Sequence, residues 1–219
     1  MFADASNIIR EEFSAAKRAC TMRVTRDLTP NDCAAIARLR SDNYFPDPCD
    51  PRYALGGIHI QMAAEQIARV HAADSTSHLV LLHDVADAGR LIACARFTYI
   101  EPDSAAYDQR IQEKLPDVKS GRVLFNNVVI VDKDWRRQNI VIQGAERKAC
   151  DAIFNASIAA ARAQGCSVAV CDVVVAPVAN EVSLRYMTRH GMVELGESAP
   201  IVRDGQSVRL KRYVMSLGR

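Results

Sequence analysis

Apolar and polar positions along the chain alternate between two periods, and the switches mark its elements. MRVTRDL, residues 22–28, alternates as a half-buried strand does. SHLVLLHD and GRLIACARFTYI read as two strands joined by a polar hairpin, and RVLFNNVVIVD as a further strand. CSVAVCDVVV is almost continuously apolar, the pattern of a strand covered on both faces. MVELGES and RLKRYVMSL close the chain as strands around Arg203-Asp204-Gly205.

Helical spacing fills the intervals. Ile9, Phe13, Ala16 and Cys20 fall on one side of an additional N-terminal helix within residues 1–20, with Asp4 or Ser6 as its cap. Thr29-Pro30-Asn31-Asp32 supplies an N-cap, a proline at the first helical position and an early acid, and opens a helix to about Asn43. The Pro- and Gly-rich YFPDPCDPRYALGG reads as an irregular loop, after which IHIQMAAEQIARVHAA returns to helical composition. Residues 101–120 read as a loop or short helix. A long helix is expected from Asn139 to Gln164, with Val141, Ala145, Ala149, Ala152, Ala156 and Ala163 along one side. ANEVSLRYMTRHG is a short helix ended by Gly191. The order predicts an α+β fold over residues 21–219, a single domain. Its centre would be a mixed, mostly antiparallel sheet of about six to seven strands with helices on both faces.

Composition removes several classes of function. With 219 residues, 49% hydrophobic, 25% charged and a net charge of +2, the chain is an ordinary globular one. Aromatics at 6% and the small charge argue against nucleic-acid binding. The seven cysteines are scattered and never form a CxxC pair, so neither a disulfide framework nor a zinc site is indicated, and they fit a reducing compartment. No stretch is long enough to span a bilayer, and the first twenty residues lack a secretory signal's apolar core, so a cytoplasmic protein is expected.

Two local patterns carry chemistry. Val129-x-Val131-x-Lys133-x-x-Arg136 places cations where a strand gives way to a helix, the usual setting for a phosphate. Asn180-x-x-Ser183-x-x-Tyr186-Met187-x-x-x-Gly191-Met192 is the second. Together with the element order they resemble the GNAT superfamily of acyl-CoA-dependent N-acyltransferases over roughly residues 21 to 217. In that family Arg or Gln, two residues, Gly, one residue, and Gly or Ala open the central helix. Here Asn139 and Val141 occupy the glycine positions. A second register, Arg147-Lys148-Ala149-Cys150-Asp151-Ala152, also fits, but the first keeps the cationic turn at the strand end and is preferred.

The resemblance implies acetyl-CoA or a longer acyl-CoA as co-substrate, a small-molecule amine or amino acid as acceptor, and no metal. Donor contacts would fall on Val129, Ile130 and Val131 of the strand, on Arg136, Arg137, Gln138, Asn139, Ile140 and Val141 of the turn, and on Asn180. The family's acidic tyrosine falls on Met187, which makes Tyr186 the candidate acid. Asn126 and Asn127 stand where the family often has a carboxylate base. Asn127 is the candidate to position substrate, and Asp172, in an otherwise apolar strand, is a candidate base. Basic residues such as Arg147 and Lys148 would also suit an acyl carrier protein, as in acyl-homoserine-lactone and N-acyl amino acid synthases. A homodimer is compatible with the resemblance. A catalytically silent acyl-CoA-binding domain is the alternative from another class.

Overall fold

The longest apolar runs lie at the middle of one sheet, and the helices cover it from both sides. The computed structural model describes residues 18–47, 49–58, 61–87, 89–118, 121–203 and 206–218. The expected N-terminal helix lies outside the described residues up to position 17. Arg18, Ala19 and Cys20 begin a strand instead, β1 (Arg18–Thr25).

Thr29 caps α1 (Pro30–Ser41) as the sequence indicates. Its hydroxyl accepts from the Asp32 N–H at 3.1 Å, while its own N–H donates to Asp32 Oδ2 at 2.8 Å. Next come a 3₁₀ turn over Pro51–Leu55, α2 (Ala64–Ala72), β2 (His78–Asp84) and β3 (Leu91–Ile100). A short α3 (Arg110–Lys114) precedes β4 (Val123–Val131). After a second 3₁₀ turn, Lys133–Trp135, come β5 (Asn139–Ile142), β6 (Ala145–Lys148) and α4 (Ala149–Ala163). The chain ends with β7 (Val168–Ala176), α5 (Glu181–Arg189), β8 (Val193–Arg203) and β9 (Gln206–Ser216).

The described residues form nine strands in one sheet, ordered β6-β5-β1-β2-β3-β4-β7-β9-β8, against the six to seven expected. The two extra strands come from the segment read as the start of a long helix. Asn139-Ile140-Val141-Ile142 is a β-branched run, with Ile140 and Ile142 turned into the core. It pairs antiparallel with Ala145–Lys148 across Gln143 and Gly144, both at positive φ (49° and 78°), a two-residue turn that suits the twist of a hairpin. The helix therefore begins at Ala149, ten residues after the expected start.

α4 presents Ala149, Ala152, Ile153 and Ala156 to the face of the sheet that carries Val80, Ile92, Ala95 and Phe97. Small residues let it lie close, and each large apolar side chain buried there contributes roughly 1.5–3 kcal/mol. On the opposite face Cys33, Ile36 and Leu39 of α1 and Ile67 of α2 pack on Leu79, Leu81, Cys94 and Ile130. Ile111 of α3 covers Val123, Val168 and Val170.

Two irregularities at the centre of the sheet position the site. β4 and β7 are parallel partners only from Val123↔Val168 to Asn126↔Cys171. Beyond that point β4 stays with β3 as far as Val131, and β7 stays with β9 to Ala176, so the pair opens into a fork. At its apex the register of β4 against β3 shifts, since Phe97 pairs with Asn126 but Arg96 with Val128, and Asn127 is the extra residue of a bulge.

Candidate active site

The fork holds a cavity of about 140 Å³. Val129 and Val131 of β4 form one wall, and Asn180, Ser183, Tyr186 and Met187 at the head of and along α5 form another. Leu55, Gly56 and Gly57 close a third side. From Asn127 onward the β7-side edge of β4 has no strand partner among the described residues, which leaves backbone groups open to a ligand.

The third wall belongs to a loop closed on itself. Ile58 donates its N–H to the carbonyl oxygen of Asn43 at 2.9 Å, and the Tyr53 hydroxyl lies inside, 3.1 Å from the carbonyl oxygen of Ile58. Gly57 is required there, because a Cβ would fall 2.3 Å from the Phe45 ring.

Arg136 ties this loop to the strand. Its Nε donates to the carbonyl oxygen of Val131 at 3.1 Å and Nη1 to that of Leu55 at 2.5 Å. Nη2 donates to the carbonyl oxygen of Gly56 at 3.1 Å and to Asn43 Oδ1. Burial pushes its guanidinium below the usual arginine range, with Asp132 opposing that shift. The sequence expectation of Arg136 as a phosphate ligand is corrected: the guanidinium is engaged by the protein itself, and it lines the cavity as a strut.

The rest of the expected phosphate turn is also displaced. Arg137 and Gln138 are exposed, and the Gln138 amide donates to the carbonyl oxygen of Asp134 at 2.7 Å. Asn139, Ile140 and Val141 belong to β5, between β6 and β1, not to a helix N-terminus. Ile130 points to the face of α1 and α2 and does not line the fork. The helix that follows this turn begins only at Ala149, within the alternative register Arg147-Lys148-Ala149-Cys150-Asp151-Ala152, and its Cys150 lines the fork. Arg147, Lys148, Asn139 and Asn155 line an open polar groove beside it, together with the carboxylates Glu146 and Asp151.

Tyr186 does reach the cavity. Its hydroxyl donates to the carbonyl oxygen of Cys150 at 2.7 Å, and its ring meets Phe154 and His190 edge-on, with centroids 5.7 and 4.4 Å away. Burial pushes the phenol far above its ordinary range, reinforced by Cys150 and Asp151. Asn180 caps α5, its Oδ1 accepting from the Ser183 N–H at 3.0 Å. Met187 is buried against Cys171, sulfur to sulfur at 3.4 Å, and burial pushes the Cys171 thiol up to about 12, which removes it as a nucleophile.

Asp172 lies apart from the cavity. Arg212 grips its two oxygens with Nε and Nη2, each at 2.8 Å, and reaches Asp108 Oδ2 at 3.0 Å with Nη1. A carboxylate bound in this bidentate way is a structural partner rather than a base. The two asparagines take different faces. Asn126 pairs with Phe97, so it shares the α4 face with Val129 and Val131, and its Oδ1 is buried without a partner among the described residues. Asn127 donates to Thr98 Oγ1 at 3.0 Å and lines a second cavity, of about 220 Å³, on the face of α1 and α2.

That second cavity contains Arg40 and Arg96, which sequence reasoning does not single out. The signal for Arg96 was present: it is the one charged residue of the strand LIACARFTYI. Among the described residues no group of three or more His, Cys, Asp or Glu is placed to hold a metal ion, and no helix is long and apolar enough to cross a membrane.

No family model and no curated protein matches the sequence. Solved structures do match its shape. NAA60 from Arabidopsis thaliana in complex with acetyl-CoA superposes with a TM-score of 0.61 at 12% identity, covering 90% of this chain and 98% of that one. An N-acetyltransferase from Staphylococcus aureus Mu50 gives 0.57 at 14% identity, covering 91% and 99%. The ribosomal-protein-S18-alanine N-acetyltransferase from Escherichia coli gives 0.54 at 10% identity, covering 91% and 96%. Another neighbour, from Desulfovibrio desulfuricans, is described as an acetyltransferase of the GNAT family. The forked sheet and the shapes it matches give this chain the fold of the GNAT superfamily, in a divergent form.

Proposed function

We propose that the chain is an N-acyltransferase that takes an acyl group from acyl-CoA and delivers it to the amine of a small molecule. The observation that carries this reading is the fork between β4 and β7. It combines an unpartnered strand edge at Asn127–Val131 with a cavity walled by Tyr186 and Ser183. A pantetheine arm is a chain of amides and methylenes, and a free strand edge offers it hydrogen bonds as a neighbouring strand would. Its diphosphate would lie toward the N-terminus of α4, where Arg147 and Lys148 stand beside the helix N–H groups, with Asp151 paired to Arg189 and Glu146 accepting from Asn139.

In the reaction the neutral amine attacks the thioester carbonyl, a C–N bond forms, the C–S bond breaks, and the proton lost by the amine ends on sulfur. Holding both reactants against β4 supplies much of the rate by proximity. Tyr186 stays protonated, and its single O–H, which donates to the carbonyl oxygen of Cys150, turns from that bond to the developing thiolate as the C–S bond breaks. Asn126 and Asn127 cannot accept the amine's proton, so the amine reacts in its free-base form.

The test is a thermal-shift series with CoA and acyl-CoAs from acetyl to palmitoyl, followed by thiol-release assays with a panel of amines. Stabilisation by at least one thioester and amine-dependent release of free CoA are expected. No stabilisation by any member of the series removes the proposal. Stabilisation without release for any amine reduces the chain to a silent binding domain.

A further inference from the structure

The cavity on the far side of β4 has a lining that selects a chemical class. Its volume, about 220 Å³, suits a molecule of amino-acid size, below the ~300–1,000 Å³ of drug-sized pockets. Ile36, Ile67, Val70 and Leu79 make one side apolar. The polar groups are Arg40, Arg96, His71 and Asn127, and among the described residues that line it there is no carboxylate. Arg40 is 7% exposed, which places a cation deep in the site.

A chain of hydrogen bonds fixes the second cation. His71 Nε2 lies 2.6 Å from the carbonyl oxygen of Arg26, which can only accept, so Nε2 carries the proton. Its Nδ1 then accepts from the Ser77 hydroxyl at 2.9 Å, and Ser77 Oγ accepts from Arg96 Nε at 2.9 Å. Arg96 Nη2 donates to Asp74 Oδ2 at 3.1 Å. One edge of the guanidinium is thereby locked, while Nη1 has no partner among the described residues although the side chain is only 23% exposed. A half-buried donor left open and held rigid is prepared for an acceptor group that arrives from solution. His71, with both ring nitrogens committed, is not a free base.

On the reading that the chain is an N-acyltransferase, we infer that this cavity is the acceptor site and that the acceptor is an apolar α-amino acid. Its carboxylate is bound by Arg96 with the charge of Arg40 behind it, and its side chain lies on Ile36, Ile67 and Leu79. Its amine faces the bulge at Asn127. Asn127 and Val128 line this cavity and Val129 lines the fork, so amine and thioester approach β4 from opposite faces at adjacent residues. They meet where the strand edge becomes free.

The experiment compares L-leucine and L-phenylalanine with leucinamide, isoamylamine and phenethylamine, first by ligand-observed NMR titration of the full chain with and without CoA. The same compounds are then acceptors in the thiol-release assay. Both measurements should favour the amino acids by roughly tenfold or more, the worth of a charge-assisted contact. Arg96→Met should erase the preference and Arg96→Lys should keep part of it, with thermal melts confirming that each variant is folded. Equal binding of amino acids and decarboxylated amines by the unmodified chain overturns the inference. So does a preference that survives Arg96→Met. Because the titration needs no acyl donor, loss of the transferase reading would leave the carboxylate preference measurable, and a missing preference would leave donor binding intact.

Discussion

The hydroxyl of Tyr186 on α5 donates to the carbonyl oxygen of Cys150 in the first turn of α4, at 2.7 Å, and so joins the two helices across the mouth of the fork. With Phe154 and His190 against its ring, the phenol ring is held in place, and only its O–H has to rotate from the Cys150 carbonyl oxygen to reach a thiolate. Tyr186→Phe removes one donor and keeps the ring. It should lower kcat roughly 100-fold, the usual cost of losing one donor to a developing anion, with little change in KM. The loss in stability should be near ~1 kcal/mol by urea denaturation. A variant with unchanged kcat would show that the hydroxyl serves only the helix junction.

The same residue sets an expectation for pH. A phenol whose pKa is raised stays protonated below that value, so its donor function is present across the whole neutral and mildly alkaline range. The rate at subsaturating amine should rise with pH as the acceptor loses its proton, and no descending limb should appear up to about pH 10, the ordinary tyrosine value. A fall in kcat between about pH 8 and 9.5 would require another acid, and burial raises the Cys150 thiol away from that window.

Arg136 and the pair Arg147–Lys148 should separate shape from charge. Arg136→Ala leaves the carbonyl oxygens of Leu55 and Gly56 without their donor and should cost roughly 2–3 kcal/mol. That is a drop in Tm of roughly 4–12 °C for a chain of this size. The double variant Arg147→Ala with Lys148→Ala should keep the melting temperature within a few degrees and weaken CoA about tenfold. Its remaining affinity should depend less on salt. Calorimetry at two ionic strengths tests this, and an unchanged affinity would move the diphosphate away from α4.

Asp108 and Asp172 share Arg212, and Arg110 binds Asp108 from the other side at 2.7 Å. Hydrogen bonds from Arg110 hold the Asp108 carboxyl below the usual carboxylate range, with Arg212 adding to the effect. A depressed folded-state pKa stabilises the protein above the unfolded value, near 3.9, and that contribution is lost as pH falls through the lower folded value. Asp108→Asn should therefore lower stability at neutral pH by about 1–3 kcal/mol and flatten the acid limb of the stability profile below about pH 4. Asp172→Asn should likewise destabilise and leave kcat unchanged, measured with the same donor and acceptor.

Strand and helix periods made most of this architecture legible, because β2, β3, β4 and β7 are buried on both faces and read as apolar runs. The segment 139–148 was not. Its Ala, Glu, Arg and Lys suit a helix by propensity, and only the β-branched run before Gln143-Gly144 pointed to a hairpin. The same slip moved the phosphate turn, since a helix that starts at Ala149 makes Asn139 and Val141 strand residues. That Tyr186 and Asn180 line one cavity was legible because both belong to one short helix and its cap. The role of Arg136 was hidden because its acceptors at Asn43, Leu55 and Gly56 lie about eighty or more positions away in the chain. Arg40 and Arg96 are brought together only by packing α1 on the sheet.

The hairpin between β4 and α4 also changes how the sheet ends. β5 joins β1 through Arg18↔Ile140 and Ala19↔Val141, so the start of β1 is no longer a sheet margin, while the later stretch with its exposed Val24 lies beyond that pairing. The margin passes to β6, four residues long and reading Ala-Glu-Arg-Lys. A short, charged rim offers a poor template for a second chain to add a strand, and the insertion thereby protects the start of β1 from edge-to-edge association.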